Sequence, residues 1–475
     1  MKKRRFLLAI AVLAVVALIG VGYRLFGTYA LKTYQAELRA KGEKVTLSEL
    51  SASLTPCLPD SSLALSNVIA KLGPPPATIT NLNLMHFVSL GRARVAWRQP
   101  VPPWSSTCEP SAASWPGLSD CLGQRSGPLA DLRLALKQPP LNAGPRTNIL
   151  FETGGLSAAI QSAAGWLACA ALTDLHDGRS DQALANLQAL ASLANVYRED
   201  YTLYSAMTRV GIAQVGLDLT WDALQSADWN NDQLLALQKS WQSIDLLEGL
   251  ERGLEGERLF GFESLKRWMT ENKDESRQTS SFAGWSVDAI CGVLVKRVWL
   301  ETVAPSDLRF GIGYWQGKIQ LVRDLRANHS LRQVLVPWQK LDDGLDKKSH
   351  PPLRFLYPVS LVSIPNPKRD LFQTLHVETE RRLALTAIAL SRYHRLHRRP
   401  PVSLEALVPD FLSSPVLDCM SGRLLCYQAS GDRTFNLYSV GNDGTDNGGD
   451  SSPAVPGGKL GLWEGRDAVW PVAVP

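Results

Sequence analysis

Four cations, Lys2, Lys3, Arg4 and Arg5, open the chain, and residues 6–23 then run without a charge through Leu, Ala, Val and Ile. A helix needs about 20 apolar residues to cross a bilayer core and tolerates roughly 17, so the pattern predicts a spanning helix in a membrane anchor at 1–27. Cations before the run, with only scattered charge after it, predict a cytoplasmic N-terminus and an exported remainder. The expected localisation is therefore the bacterial inner membrane, single-pass, with the bulk of the chain periplasmic. A cleavable signal peptide is the competing reading, but its apolar region is normally about 7 to 15 residues and ends in small residues. Gly20-Val21-Gly22 is the one nearby candidate for such an end. Two later apolar runs, 287–300 and 356–364, are broken by Lys296 and Arg297 and by Pro358, and read as core.

Beyond the anchor, residues 29–41 form an amphipathic, charged pattern that prolongs the helix. Thr46-Leu47-Ser48-Glu49-Leu50 reads as a short helix capped by Thr46 or Ser48. Residues 55–146 are rich in Pro, Ser and Gly, which predicts loops and short elements, so 28–150 is read as an extended, loop-rich segment packed on the next domain. From about 156 the pattern turns helical: Trp166 to Leu175, a Gly178 stop, a Ser180 cap and a second apolar helix. A shift of about 34 residues, the period of tetratricopeptide arrays, reaches Gly211 to Gly216 with no second copy. The 151–350 span is therefore expected to be an irregular helical bundle, completed by helices at 201–224 and 232–269. The charged run Asp342 to Lys348, followed by Pro351-Pro352, marks a boundary. In 351–475 a helix over 370–397 precedes strands at 424–428 and 434–440. The fold class read from these patterns is α+β, mostly α: an N-terminal transmembrane helix, an irregular helical bundle, and a small C-terminal domain of one long helix and an antiparallel sheet.

Composition changes this picture little. The net charge of +5 sits largely in the opening tetrad, so no nucleic-acid surface is read into it. In an exported chain disulfides are permitted; Cys108 with Cys121, or Cys419 with Cys426, could staple a local loop. The total of seven cysteines leaves at least one thiol over, and Cys169 lies in an apolar helix pattern that suits a buried thiol.

The tail carries a recognisable order of motifs: Arg382 to Leu396, Pro400-Pro401-Val402-Ser403-Leu404-Glu405-Ala406-Leu407, Asp418 to Gly422, Tyr427, and Leu437 to Gly444. That order resembles the soluble domain of the major pseudopilin of type II secretion. There a long helix is followed by a turn, an L-E-A-L helix, an Asp-Pro strand entry and a Y-S-x-G-x-D-G loop. The likeness covers roughly the last hundred residues. The whole layout also resembles a group of uncharacterised, membrane-anchored bacterial envelope proteins. In a pseudopilin the spanning helix runs directly into this domain behind a Gly-Phe-x-x-x-Glu processing site; here the helical middle intervenes and neither Gly20 nor Gly22 is followed by such a motif.

Calcium takes six to eight oxygens from flexible loops, and Val440 to Asp450 is such a loop, rich in Asp, Asn and Gly. The resemblance implies Asp443 and Asp450 as carboxylate ligands with Val440 and Thr445 as supporting oxygens; Asp446 is a local alternative. A solvated turn uses the same residue types.

Other constellations are thinner. His394 and His397 share a helix face and could both reach a metal, but a basic run at a helix C-terminus explains them through the dipole. Glu248, Glu251, Glu255 and Glu257, with Lys266 and Arg267, could supply acid–base carboxylates or a solvated face. Trp97, Trp104, Trp115, Trp166 and Trp241 suit sugar or peptide binding, or core packing. No G-x-S-x-G elbow and no phosphate-binding glycine loop occurs. The function expected is a membrane-anchored structural or interaction component of the cell envelope, near a secretion apparatus, with an envelope protein as partner. The alternative is an exported hydrolase or carbohydrate-binding enzyme with a site in the helical middle.

Overall fold

The computed structural model describes residues 2–53, 59–77, 84–104, 112–137, 149–226, 228–260, 263, 302–429 and 435–474. The apolar run at 287–300, the end of the helix expected to reach 269, Lys266, Arg267, Thr434, Cys57, Cys108 and Cys291 lie outside them. Among the described residues the helices are α1 (Lys2–Ala40), α2 (Leu47–Ser53), α3 (Pro59–Leu72), α4 (Trp115–Gln124), α5 (Ser126–Lys137), α6 (Ile149–His176), α7 (Ser180–Ala194), α8 (Leu203–Leu224), α9 (Asn231–Gln242), α10 (246–260), α11 (Ala304–Asn328), α12 (Leu331–Ser349), α13 (Pro358–Ser363) and α14 (Lys368–His397). Strands are few and short: β1 (His86–Ser89), β2 (Arg92–Arg94), β3 (Cys426–Ala429), β4 (Phe435–Ser439), β5 (Ala468–Val469) and β6 (Val472–Val474). The protein is mostly helical with two small sheets. It divides into a unit of 1–55, 254–321 and 336–367, and a larger unit of 56–253, 322–335 and 368–475.

The spanning anchor requires correction. Among the described residues no helix is long and apolar enough to cross a membrane. The apolar run occupies only the first half of α1, which continues without interruption through Arg24, Lys32, Glu37 and Arg39. From Gly20 onward one side of α1 packs on its own unit. Gly20 lies against Thr302, Tyr23 packs on Val303 and Ala304, and Gly27 lies against Ser306, while Leu18, Ile19, Leu25 and Phe26 stay exposed. The transmembrane part of the fold class, the membrane as a partner through a single spanning helix, and the single-pass inner-membrane placement are accordingly withdrawn.

In the smaller unit α1 ends on a cluster of Leu38, Val45 and Ile312. The buried Arg258 guanidinium donates to Glu43 at 3.0 Å, to the Lys44 carbonyl at 2.8 Å and to Gln316. The charged run at 342–348 is helix, not a break. The fully buried Lys318 donates to Asp342 at 2.6 Å and to the Trp338 carbonyl at 3.1 Å, and Tyr314 donates to the same Asp342 carboxylate at 2.8 Å. Asp342 is thus the inward-facing acid of an amphipathic helix.

The larger unit is built on the hairpin of α6 and α7, whose turn uses Gly178 at φ 70°, a left-handed value that a glycine adopts without a Cβ penalty. On this hairpin packs α8, which buries side chains on nearly every face, as expected of a helix apolar all round. Thr202 caps α8 through the Ser205 N–H at 3.1 Å, and Asn230 with Gln233 forms a reciprocal capping box on α9. The single helix expected over 232–269 breaks at 243–245, where Asp245 accepts the Glu248 N–H at 2.8 Å and starts α10. The short elements of the loop-rich region are helices: α3, α4 and α5 carry Pro59, Pro116 and Pro128 in their first turns. Proline is tolerated there because the first turn's N–H groups have no intrahelical partner.

The two sheets close this unit. The β1–β2 hairpin pairs antiparallel and β6 adds to β2 in parallel, Ala93 facing Ala473. The second sheet runs β3–β4–β5, antiparallel throughout. The second lies beside α14, which packs along α8 and α9 and continues the same apolar core.

Two glycines of α8 separate helix propensity from packing. A Cβ at Gly211 would meet open space, whereas one at Gly216 would come within 2.6 Å of the Trp241 ring. Gly211→Ala is expected to stabilise the larger unit by about 0.5–1 kcal/mol. Gly216→Ala gains the same propensity but overpacks the core and is expected to destabilise by about 1–3 kcal/mol net. Denaturant titration of both variants checks the sign difference; a stabilised Gly216→Ala would contradict the packing.

Candidate functional site

The densest polar construction lies where α14 meets α8 and the C-terminal loops. Gln214 of α8 donates through its one amide nitrogen to Asp218 at 2.9 Å and to Glu380 of α14 at 2.5 Å. The other Glu380 oxygen accepts the Trp463 indole N–H at 2.8 Å. One turn before Glu380, the His376 ring stacks on Trp463 with centroids 3.9 Å apart, and its Nε2 meets Asn442 at 2.8 Å. Asn442 in turn donates to the Trp463 carbonyl. Glu380 and His376 thereby tie the acidic loop and the 463 loop to one face of α14.

Burial pushes the Glu380 carboxyl up to about 7 against the hydrogen bonds from Trp463 and Gln214, and raises Asp218 well above its ordinary value, with the Glu380 charge adding to the effect. Burial and the neighbouring charge together favour the neutral form of these carboxyls. Asp222, one turn on from Asp218, is raised by the same burial and accepts the Ala96 N–H at 2.7 Å. His376 is held below the usual imidazole range by burial.

A second carboxylate on α14 has the opposite environment. Burial alone would raise Glu378, but Arg381 and Arg382, donating at 2.7–2.9 Å, outweigh it and hold it low. Arg381 also donates to the Trp241 carbonyl and Arg382 to the Leu417 carbonyl.

The residues expected to hold calcium all sit on the turn between β4 and β5. Val440 is buried and its N–H reaches Asp418. Asp443 accepts the Thr445 N–H at 2.8 Å, and the Thr445 carbonyl accepts the Asn447 amide. Asp446 accepts the Tyr438 hydroxyl at 3.0 Å and the Gly448 N–H at 2.9 Å. Asp450 accepts both donors of Ser452 at 2.8 Å. Among the described residues no group of three or more His, Cys, Asp or Glu is arranged to hold a metal ion.

The loop folds instead around two acids outside the expected set. Asp467, 1 % exposed, accepts the backbone N–H groups of Asn447, Gly449 and Asp450. Asp418 accepts from Met420, Ser421, Ser439 and Val440. The signal available for Asp218 was a single acid in the otherwise uncharged run from Val210 to Trp221; Glu380, set among Glu378, Arg381 and Arg382, and Asp467 carried no comparable mark.

Other candidates separate. His397 lies on Tyr393 with ring centroids 4.2 Å apart, while the His394 Nδ1 has no hydrogen-bond partner, so the two do not converge. Glu248 pairs with Arg252, and Glu251 with Arg323 and Arg326. The tryptophans serve packing and anchoring: Trp97, Trp115, Trp166 and Trp241 donate to Asp222 O, Gln99 O, Gly73 O and Thr220 Oγ1, and Trp104 is buried in the core. Cys419 and Cys426 are free thiols, raised by burial to about 12 and about 11.

Comparison with protein-family models, with curated proteins and with solved structures returns no match.

The carboxyl pair predicts a pH slope. A folded pKa near 7 against an ordinary 4.5 means the folded chain holds its proton more tightly than the unfolded one. Stability from this site is full below about pH 4.5 and is lost as pH rises through 7, a change on the order of 3 kcal/mol. Asp218→Asn keeps the acceptor for Gln214 and removes one charge. It is expected to flatten the slope between pH 5 and 8 and to stabilise the protein at pH 8; thermal melts that leave the slope unchanged would contradict a raised Asp218 carboxyl.

Proposed function

We propose that this chain is a structural or interaction protein and not a hydrolase. The observation that carries the reading is the use made of the polar groups in the helical core. Three of the carboxylates that could have served acid–base chemistry are engaged by other side chains of the same unit. Glu378 holds two arginines, Glu251 holds Arg323 and Arg326, and Glu380 holds Gln214 and Trp463. General acid–base catalysis needs a carboxyl within hydrogen-bond reach of substrate, and here both Glu380 oxygens face donors of the chain. Such a body favours rigidity, the property wanted in a component that presents a surface to a partner. The order of tail motifs supports the same reading through its resemblance to the major pseudopilin, an assembly protein.

The alternative rests on Asp218 and Glu380 as an acid–base pair, because a carboxyl near 7 is suited to proton transfer at neutral pH. One experiment separates the two. A photo-crosslinking residue placed at Leu396 or Val402, both exposed on the tail, is expected to capture one discrete partner protein in the native cells. The same adduct should form in the Asp218→Asn background. Absence of any adduct, together with a hydrolytic activity of the purified protein that Asp218→Asn abolishes, would overturn the proposal in favour of the enzyme.

A further inference from the structure

The turn between α11 and α12 docks on the C-terminal tail inside the larger unit, to which residues 322–335 belong. Asn328 ends α11 and Leu331 starts α12, so His329 and Ser330 make the turn. His329 has φ 52°, a left-handed value, and its N–H closes on the Leu325 carbonyl at 2.7 Å. The Leu331 N–H donates to the Cys419 carbonyl at 2.9 Å, and a Cβ at Gly422 would lie 2.9 Å from the Ser330 Cβ. The turn therefore lies directly on the 419–422 segment. Its imidazole meets α14, where the Arg382 Nη2 stands 3.2 Å from the His329 Nδ1.

A guanidinium has donors and no acceptor, so Nδ1 accepts and the neutral ring carries its proton on Nε2. In an imidazolium both nitrogens donate. Protonation thus removes the hydrogen bond and sets a second cation against Arg382. The acids around the ring are already committed. Glu378 of α14 accepts from Arg381 and Arg382, and Asp245, at the start of α10, accepts from Arg326 of α11. Arg323 and Arg326 share Glu251. Beneath the turn, Asp418 accepts from Met420, Ser421, Ser439 and Val440, and the Cys419 thiol, pushed up to about 12, stays neutral. Burial and the Arg382 charge hold His329 below the usual imidazole range, against the weaker opposing pull of Glu378 and Asp245.

We propose that His329 is a proton-operated release for this turn: neutral, it clasps Arg382 and keeps the turn on the 419–422 segment; protonated, it lets the turn lift away. The folded chain resists protonating this ring, so the docking contributes stability above pH 6.5 that is lost as pH falls through the lower folded value. The direction is opposite to that of the Glu380 site, whose contribution is full in acid. The release stands apart from the interaction role proposed above and does not depend on it.

Hydrogen exchange of the full chain at about pH 7.5 and about pH 5, expressed as protection relative to the unstructured rate at each pH, reads the turn directly. Protection over 328–335 is expected to fall about tenfold on acidification while that of α8 does not fall, the size set by a group whose unfolded value lies more than a unit above the lower pH. Glu378 and Asp245 are both held low and remain charged there, so they do not supply the loss. His329→Asn places an amide oxygen where Nδ1 stands, tolerates the left-handed backbone and does not titrate; its turn should be equally protected at both pH values. Imidazole NMR of the parent chain at pH 7.5 should show His329 protonated on Nε2. Equal protection of the parent turn at both pH values, a fall shared by α8, a fall that persists in His329→Asn, or a proton on Nδ1 at pH 7.5 would overturn the proposal.

Discussion

The larger unit depends on one constraint: α14 is buried among other elements yet carries charged and polar groups that must be satisfied where it lies. Glu378, Glu380, Arg392 and Thr386 are all nearly inaccessible to solvent. A buried charge is tolerated only when paired and hydrogen-bonded, so each of these groups dictates what must stand opposite it. Arg381 reaches the last turn of α9 through Trp241, and Arg392 reaches Asn231 and Gln238 on the same helix. Glu380 reaches α8 through Gln214 and the 463 loop through Trp463, and Arg382 reaches the chain at Leu417 and His329. Apolar packing brings these elements together, and the polar pairings set their register.

The C-terminal tail is therefore a part of a larger body. Its long helix supplies a central element of the helical core, and the loops that connect β4 to β5 are pinned to that helix through Asn442 and Trp463. The acidic loop is organised from inside: Asp467 gathers three backbone N–H groups and Asp418 a fourth segment, leaving Asp443, Asp446 and Asp450 to close local turns. An internal carboxylate in a nest of N–H groups is a stable arrangement because each donor would otherwise be left unpaired.

Local patterns were legible where they depend on neighbours in sequence. The helix over 370–397, the Gly178 turn, the Thr46 cap on the Glu49 N–H and the strands at 424–440 all follow from periodicity and capping chemistry. Misreadings arose where a distant partner decides. The run at 342–348 looked like a solvated break because the buried Lys318 that claims Asp342 lies a whole helix earlier. The short elements expected over 55–146 include α3, α4 and α5, whose places were not marked because Pro59, Pro116 and Pro128 open helices only by their position within the first turn. The apolar opening run looked like a complete span because the packing of Tyr23 on Val303 and Ala304 is a tertiary fact. Glu380 and Asp218 were invisible as a pair since their bridge, Gln214, and their cap, Trp463, come from opposite ends of the unit.

The central claim is that buried pairings on α14 hold the larger unit as one cooperative body. Hydrogen exchange of the full chain carrying Glu378→Ala tests it most directly, because the change leaves Arg381 and Arg382 buried and uncompensated, a loss of about 3–5 kcal/mol. The account predicts that protection falls together in α14, in α9 and in β4. Loss confined to the turn around residue 378, with α9 and β4 as protected as before, would contradict it.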